Sequence, residues 1–125
     1  MTALAETSLA ADERALLERF VEKLHARLPG DVDAVWLFGS RARGEPPSTE
    51  SDVDVLALVE DVSWDGRMLV RGILDDAARE LGLEALAWSG SIHVHDRAWL
   101  DRRREIRSFF IAELDRDKIV LSGTA

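Results

Sequence analysis

Cysteine is missing from all 125 residues, which excludes disulfides and thiolate metal sites and leaves the redox compartment open. No apolar run approaches the roughly 18 to 20 residues that a membrane-spanning helix needs. The opening stretch, Met1 to Asp12, carries acids and lacks the basic-then-apolar layout of a secretory signal. A cytoplasmic protein away from membranes is therefore expected. Basic residues are in deficit: 16 Lys and Arg against 24 Asp and Glu give a formal net charge of −8. That balance argues against a general nucleic-acid binder, whose affinity rests on neutralising phosphates. It still allows a single nucleotide, because a bound metal dominates its local field. Repeats and low-complexity tracts are also lacking. Apolar residues at 46% and charged residues at 32% describe an ordinary globular chain, of a length for one domain with a real core and no separate substrate domain.

Residues 1–10 are small and polar and are expected to be a flexible N-terminus, with one domain over 11–125. From Ala11 the apolar positions Leu16, Leu17, Phe20, Val21, Leu24 and Leu28 form a helical stripe that stops at Pro29-Gly30. Asp33 to Phe38 is an apolar run of strand length. Gly39 to Arg43 reads as a turn, and Glu45 to Glu50, with two prolines, as a loop. Asp52 to Val59 begins with alternation and becomes wholly apolar, as a central strand does. A second stripe, Val70, Ile73, Leu74, Ala77 and Leu81, predicts a helix over 65–81 with Gly82 as its stop. Glu84 to His95 reads as a third strand interrupted at Ser89-Gly90-Ser91. Asp96 caps one last helix over 97–115, with Trp99, Ile106, Phe110 and Leu114 on one face. Ile119 to Leu121 closes the chain. The order predicts an α/β (α+β) fold: a small mixed β-sheet with helices packed on one face and the other face open for chemistry.

The chemistry concentrates between Phe38 and Val55. Phe38-Gly39-Ser40-Arg41-Ala42-Arg43-Gly44 precedes Ser51-Asp52-Val53-Asp54-Val55. On a strand, Asp52 and Asp54 project from the same side, about 7 Å apart. Two such carboxylates form a hard-oxygen site suited to Mg²⁺. Asp is depleted in strands, so two at alternate positions need a reason beyond an N-cap and an edge charge. The Gly39-Ser40 turn exposes backbone N–H groups that suit a phosphate, and a Cβ at Gly39 would obstruct that approach. Ser40 serves equally as a helix cap and as a phosphate ligand. Arg41 and Arg43 read either as solvated charges or as guanidinium forks for phosphate oxygens. Ser51 fixes the end of the loop beside them.

The pattern Gly-Ser-x-Ala-Arg-Gly…Ser-Asp-x-Asp resembles the signature of the minimal nucleotidyltransferases of the DNA polymerase β superfamily, over roughly residues 11 to 121. One departure lies in the loop: Ser40 and Asp52 stand one residue further apart than the family pattern has them, where insertions are cheap. The resemblance implies the polymerase β-like nucleotidyltransferase fold. It implies attack of a hydroxyl on the α-phosphate of ATP or another nucleoside triphosphate, with release of pyrophosphate. Two Mg²⁺ ions, roughly 3.5 to 4 Å apart, would sit on Asp52 and Asp54. Gly39, Ser40, Arg41, Arg43 and Ser51 would form the nucleotide-binding set.

The resemblance also implies a third acid on the following strand, and Leu86 to His95 contains none. Alternation places Trp88, Ile92 and Val94 on one face and Ser89, Ser91, His93 and His95 on the other, beside Asp52 and Asp54. His93 is then the candidate general base, since an imidazole titrates near neutral pH; the plainer reading is a polar residue on an open sheet face. Asp96 and Glu84 are substitutes should the strand register differ. Relatives of this kind pair with a small helical HEPN-type protein as the antitoxin of a toxin–antitoxin couple. Four Trp and the run Arg102-Arg103-Arg104 fit an interface, as they fit a core and a solvated helix face. A homodimer is an equal expectation. Three functions stay open: a transferase acting on a protein or small-molecule hydroxyl, a non-catalytic antitoxin that binds its partner, and a silent nucleotide-sensing module.

Overall fold

The architecture follows from two apolar stripes and an apolar strand run, and a computed structural model describes it for residues 9–39, 41–44, 53–85 and 91–124. Helix α1 spans Ala11–Arg27 and buries Leu16, Leu17, Phe20 and Leu24, the spacing that puts apolar side chains on one face. Its first turn is capped in an unusual way. Ala10 has no side-chain acceptor, but its backbone N–H donates to Glu13 Oε1 at 2.8 Å, the second half of a capping box. Leu9 is 4% exposed and packs into the core; residues 1–8 lie outside the described residues.

Strand β1 (Val32–Phe38) is buried from Ala34 onward, because it lies inside the sheet. Strand β2 (Asp54–Val59) pairs antiparallel with it, placing Phe38 opposite Asp54 and Trp36 opposite Leu56. Helix α2 (Trp64–Leu81) starts at Ser63, whose side chain accepts from Gly66 N–H at 3.2 Å. It stops where Gly82 takes φ 70° and Leu83 N–H reaches Ala78 O at 2.8 Å, the glycine stop that the sequence predicts. The crossover through α2 brings β3 (Ser91–His95) parallel to β2, with Ser91 beside Asp54 and His93 beside Leu56. Strand β4 (Ile119–Gly123) returns antiparallel to β1, giving the order β3-β2-β1-β4. The mixed sheet is the one expected.

The last helix differs from expectation. Two helices, α3 (Arg97–Glu105) and α4 (Phe109–Asp117), replace one. Between them Arg107 adopts φ 53°, Arg107 N–H reaches Arg104 O at 3.2 Å, and Ser108 N–H reaches Arg103 O at 3.1 Å. That pair of bonds is a Schellman stop built on arginine instead of glycine. Ile106 and Phe110, expected inside, are consequently 68% and 43% exposed. The two helices are held together by Arg104, whose guanidinium donates to both oxygens of Asp115 at 3.0 and 2.7 Å.

Helices on one face alone is also corrected. Helices α1 and α2 cover Val35, Leu37, Val55, Ala57 and Val94. On the other face Leu100 of α3 with Ile111 and Leu114 of α4 pack on Ala34, Trp36, Leu56 and Leu58. Apolar side chains on both faces of β1 and β2 require cover on both sides, so the face expected to be open is mostly closed. Trp36 is fully buried there, donating from Nε1 to Thr124 O at 2.7 Å, with Lys118 Nζ 3.9 Å from its ring centroid.

Candidate active site

Among the described residues, an accessible cavity on the second face lies at the end of β1. The chain leaves Phe38 through Gly39, at φ 80°, and turns tightly: Ala42 and Arg43 N–H both point to Gly39 O, at 3.1 and 3.3 Å. Gly44 closes the turn with φ 78°. Across the ladder stands Asp54, the first residue of β2. A Cβ built on Gly39 would fall 2.5 Å from Asp54 Oδ2, so glycine is required both for the backbone angle and for the room the carboxylate occupies.

The strand period decides what shares that face. Leu56 and Leu58 belong to the α3–α4 side, and Asp54, two residues before Leu56, projects with them. The parallel register places Ser91 and His93 on the same side, as alternation predicts. His93 packs edge-on against Phe38 with ring centroids 5.3 Å apart, and its Nε2 lies 3.3 Å from Ser91 Oγ. Phe110 of α4 meets Phe38 from the other direction at 5.9 Å. Between them opens a cavity of about 140 Å³ lined by Phe38, Gly39, Arg43, Phe110, Glu113 and Asp117, among others.

The two arginines part company. Arg43 points along the cavity wall and donates to Asp117 Oδ2 at 3.4 Å. Asp117 is held below the usual carboxylate range, by Arg116 foremost and by Arg43 after it. Arg41, expected among the nucleotide ligands, is only 5% exposed and its guanidinium is engaged by Glu13 of α1. Its position ties the turn to the first helix, whereas Arg43 is the arginine of the two that lines the cavity. Ser40, Ser51 and Asp52 lie outside the described residues, as does Ser89.

Of the substitutes for a third acid, Asp96 stands away from Asp54. Asp96 caps α3, accepting Trp99 N–H at 2.9 Å, and follows Ser91 by five residues, roughly 16 Å along a strand. Glu84 is exposed between α2 and β3. His95 lies further along the same face, opposite Leu58, and its ring stacks on Trp99 at 3.8 Å and 7°. Burial first, then the charges of Arg67, His93 and Arg103, push its pKa down to about 4. Glu13 and Asp117 escape sequence reasoning because their partners are 28 and 74 residues away; no local spacing marks them.

A glycine turn at the end of one strand faces an aspartate on the next. The model of the nucleotidyltransferase domain family matches residues 17–120, and the chain belongs to that family. Two solved structures share its fold. A proposed nucleotidyltransferase from Sulfolobus solfataricus has a TM-score of 0.51 and 22% identity, with 86% of this chain aligned to 78% of that one. A mutant of the toxin–antitoxin complex MntA–HpeT has a TM-score of 0.50 and 19% identity, with 86% of this chain aligned to 72% of that one. Comparison with curated protein sequences finds no match. Among the described residues, no helix is long and apolar enough to cross a membrane.

Proposed function

We propose that the protein transfers a nucleoside monophosphate, AMP from ATP, onto a hydroxyl of a protein or small-molecule acceptor. The observation that carries this is the contact between Gly39 and Asp54: family membership gives the reaction class, and the space left at Gly39 is filled by a carboxylate oxygen. A hard-oxygen donor at that point fits Mg²⁺. Asp54, with Asp52 two residues before it, would hold two ions. When bound, those ions neutralise the attacking and leaving oxygens of the phosphoryl transfer.

The chain's own residues do the rest. Backbone N–H groups of the Gly39 turn, Ser40 and Arg43 grip the β- and γ-phosphates, with Ser51 counted in the same nucleotide-binding set. The acceptor oxygen forms a bond to the α-phosphorus as the bond to pyrophosphate breaks. His93, on the face of Asp54 and beside Ser91, takes the acceptor's proton. Incubation with α-labelled ATP, Mg²⁺ and the product of the neighbouring reading frame tests the reading. Label transfer that Asp54→Ala abolishes is expected; transfer indifferent to Asp54 refutes it.

A second reading rests on β3, whose five residues include no carboxylate. Without a third acid, the protein would act by binding a partner, as the antitoxin of a HEPN-type toxin or as a nucleotide sensor. The MntA–HpeT complex has a related fold. A tight complex that survives Asp54→Ala, with no label transferred, favours this second reading.

A further inference from the structure

The Schellman stop at Arg107 does more than divide a helix. It forces three large apolar side chains onto one corner: Ile106 is 68% exposed, Phe109 79% and Phe110 43%. Isolated exposed apolar residues are ordinary, but three clustered at one corner are not. The segment leading into them is rich in arginine, although Asp101, Glu105 and Glu113 are also exposed nearby. Arg102 to Arg107 contains four of the 16 basic residues and one of the 24 acids. Arg104 is spent on Asp115, while Arg102, Arg103 and Arg107 are exposed. The corner also reaches the chemistry, since Phe110 both packs on Phe38 and lines the cavity beside Gly39 and Arg43.

We propose that the α3–α4 corner is the docking surface for the protein acceptor, and that the acceptor presents an acidic amphipathic face to it. This deepens the transferase reading and rests on it for the word acceptor. Exposed apolar side chains with exposed Arg102, Arg103 and Arg107 on the same segment fit the composition of a protein interface. Those arginines select acidic partners by complementarity, whereas the acidic remainder of the chain repels them. Nucleic acid fits less well: arginines alone would suit phosphates, but three exposed apolar side chains on the same segment add nothing to phosphate binding. A partner seated here stands beside the cavity that Phe110 lines together with Gly39 and Arg43.

The probe is a synthetic amphipathic helix with leucine on one face, glutamate on the other and a single serine at its end. Binding to the full chain is followed by calorimetry, and serine labelling by transfer from α-labelled ATP. The glutamate helix is expected to bind, to weaken as salt rises, and to lose about tenfold in affinity in Ile106→Ser/Phe109→Ser and in Arg102→Glu/Arg107→Glu. Asp54→Ala is expected to abolish labelling and leave binding intact. Binding without labelling in the parent protein upholds the docking surface and counts against the transferase reading. The proposal is overturned if the helix does not bind, or if a lysine analogue of the helix binds equally. It is also overturned if an oligonucleotide displaces the helix at lower concentration. Dissociation of a homodimer by the Ile106→Ser/Phe109→Ser pair would likewise overturn it, as the corner would then belong to a second copy.

Discussion

Asp54 fills the space where Gly39 would carry a side chain: Oδ2 lies 2.5 Å from the position a Cβ would take. The two residues are on neighbouring strands, with Asp54 opposite Phe38 in the ladder. Glycine and carboxylate thus form one unit. Replacement of either is felt first at the site and only second in the fold.

Gly39→Ala therefore has two separable effects. The φ of 80° is unfavourable for alanine by about 1–2 kcal/mol, which appears as reduced stability in urea unfolding. The methyl group also displaces the Asp54 carboxylate, the flexible member of the pair. Mg²⁺-dependent ATP affinity is expected to fall by more than tenfold, about 1.4 kcal/mol. In an Asp54→Ala background the same change is expected to leave the residual affinity unaltered, the coupling a double-mutant cycle reads.

Arg41 and Glu13 are expected to matter for stability. Both are largely buried, Arg41 at 6% and Glu13 at 14% side-chain exposure. Removing Arg41 takes away the ion partner of the Glu13 carboxylate, a loss of about 3–5 kcal/mol. Arg41→Met is expected to show that loss in denaturant, and Arg41→Met/Glu13→Leu to recover much of it. Glu13→Leu also gives up the Ala10 N–H bond, so recovery stops short by about 1 kcal/mol.

Arg107 holds a left-handed conformation at φ 53° that arginine adopts at a penalty. Arg107→Gly is expected to stabilise the protein by about 1 kcal/mol, raising Tm by a few degrees. A continuous helix over 97–115 would respond in the opposite direction, since glycine in a helix interior destabilises by about 1 kcal/mol. Differential scanning calorimetry distinguishes the two.

His95 makes stability pH-dependent. Its folded pKa is about 4, lowered from 6.5 chiefly by burial and further by Arg67, His93 and Arg103, with Asp96 opposing. Between those values the unfolded chain binds a proton that the folded one refuses. The contribution is thus fully present above pH 6.5 and lost progressively as pH falls to about 4. His95→Phe, which keeps a ring on Trp99, is expected to flatten the decline of Tm over that range. Asp115, held low first by Arg104 and then by Lys118, destabilises only at still lower pH and remains as the control.

Much of this was legible in the chain. The stripes of α1 and α2, the glycine stop at Gly82, the Asp96 cap and the strand faces of Ser91, His93 and Asp54 all follow from local period and turn chemistry. Such features depend on residues within a few positions of each other, and the backbone geometry is the same in any fold. The Gly39 turn and the strand that begins at the aspartates are legible for the same reason, but that they face each other is decided by the pairing of β1 with β2. Tertiary structure decided what depends on distant partners. It committed Arg41 to Glu13 and Arg43 to Asp117, and it split the last helix at an arginine where glycine is the usual signal. It also laid Leu100, Ile111 and Leu114 over the face expected to be open. Local sequence sets where a side chain points; only the packed chain sets what it meets.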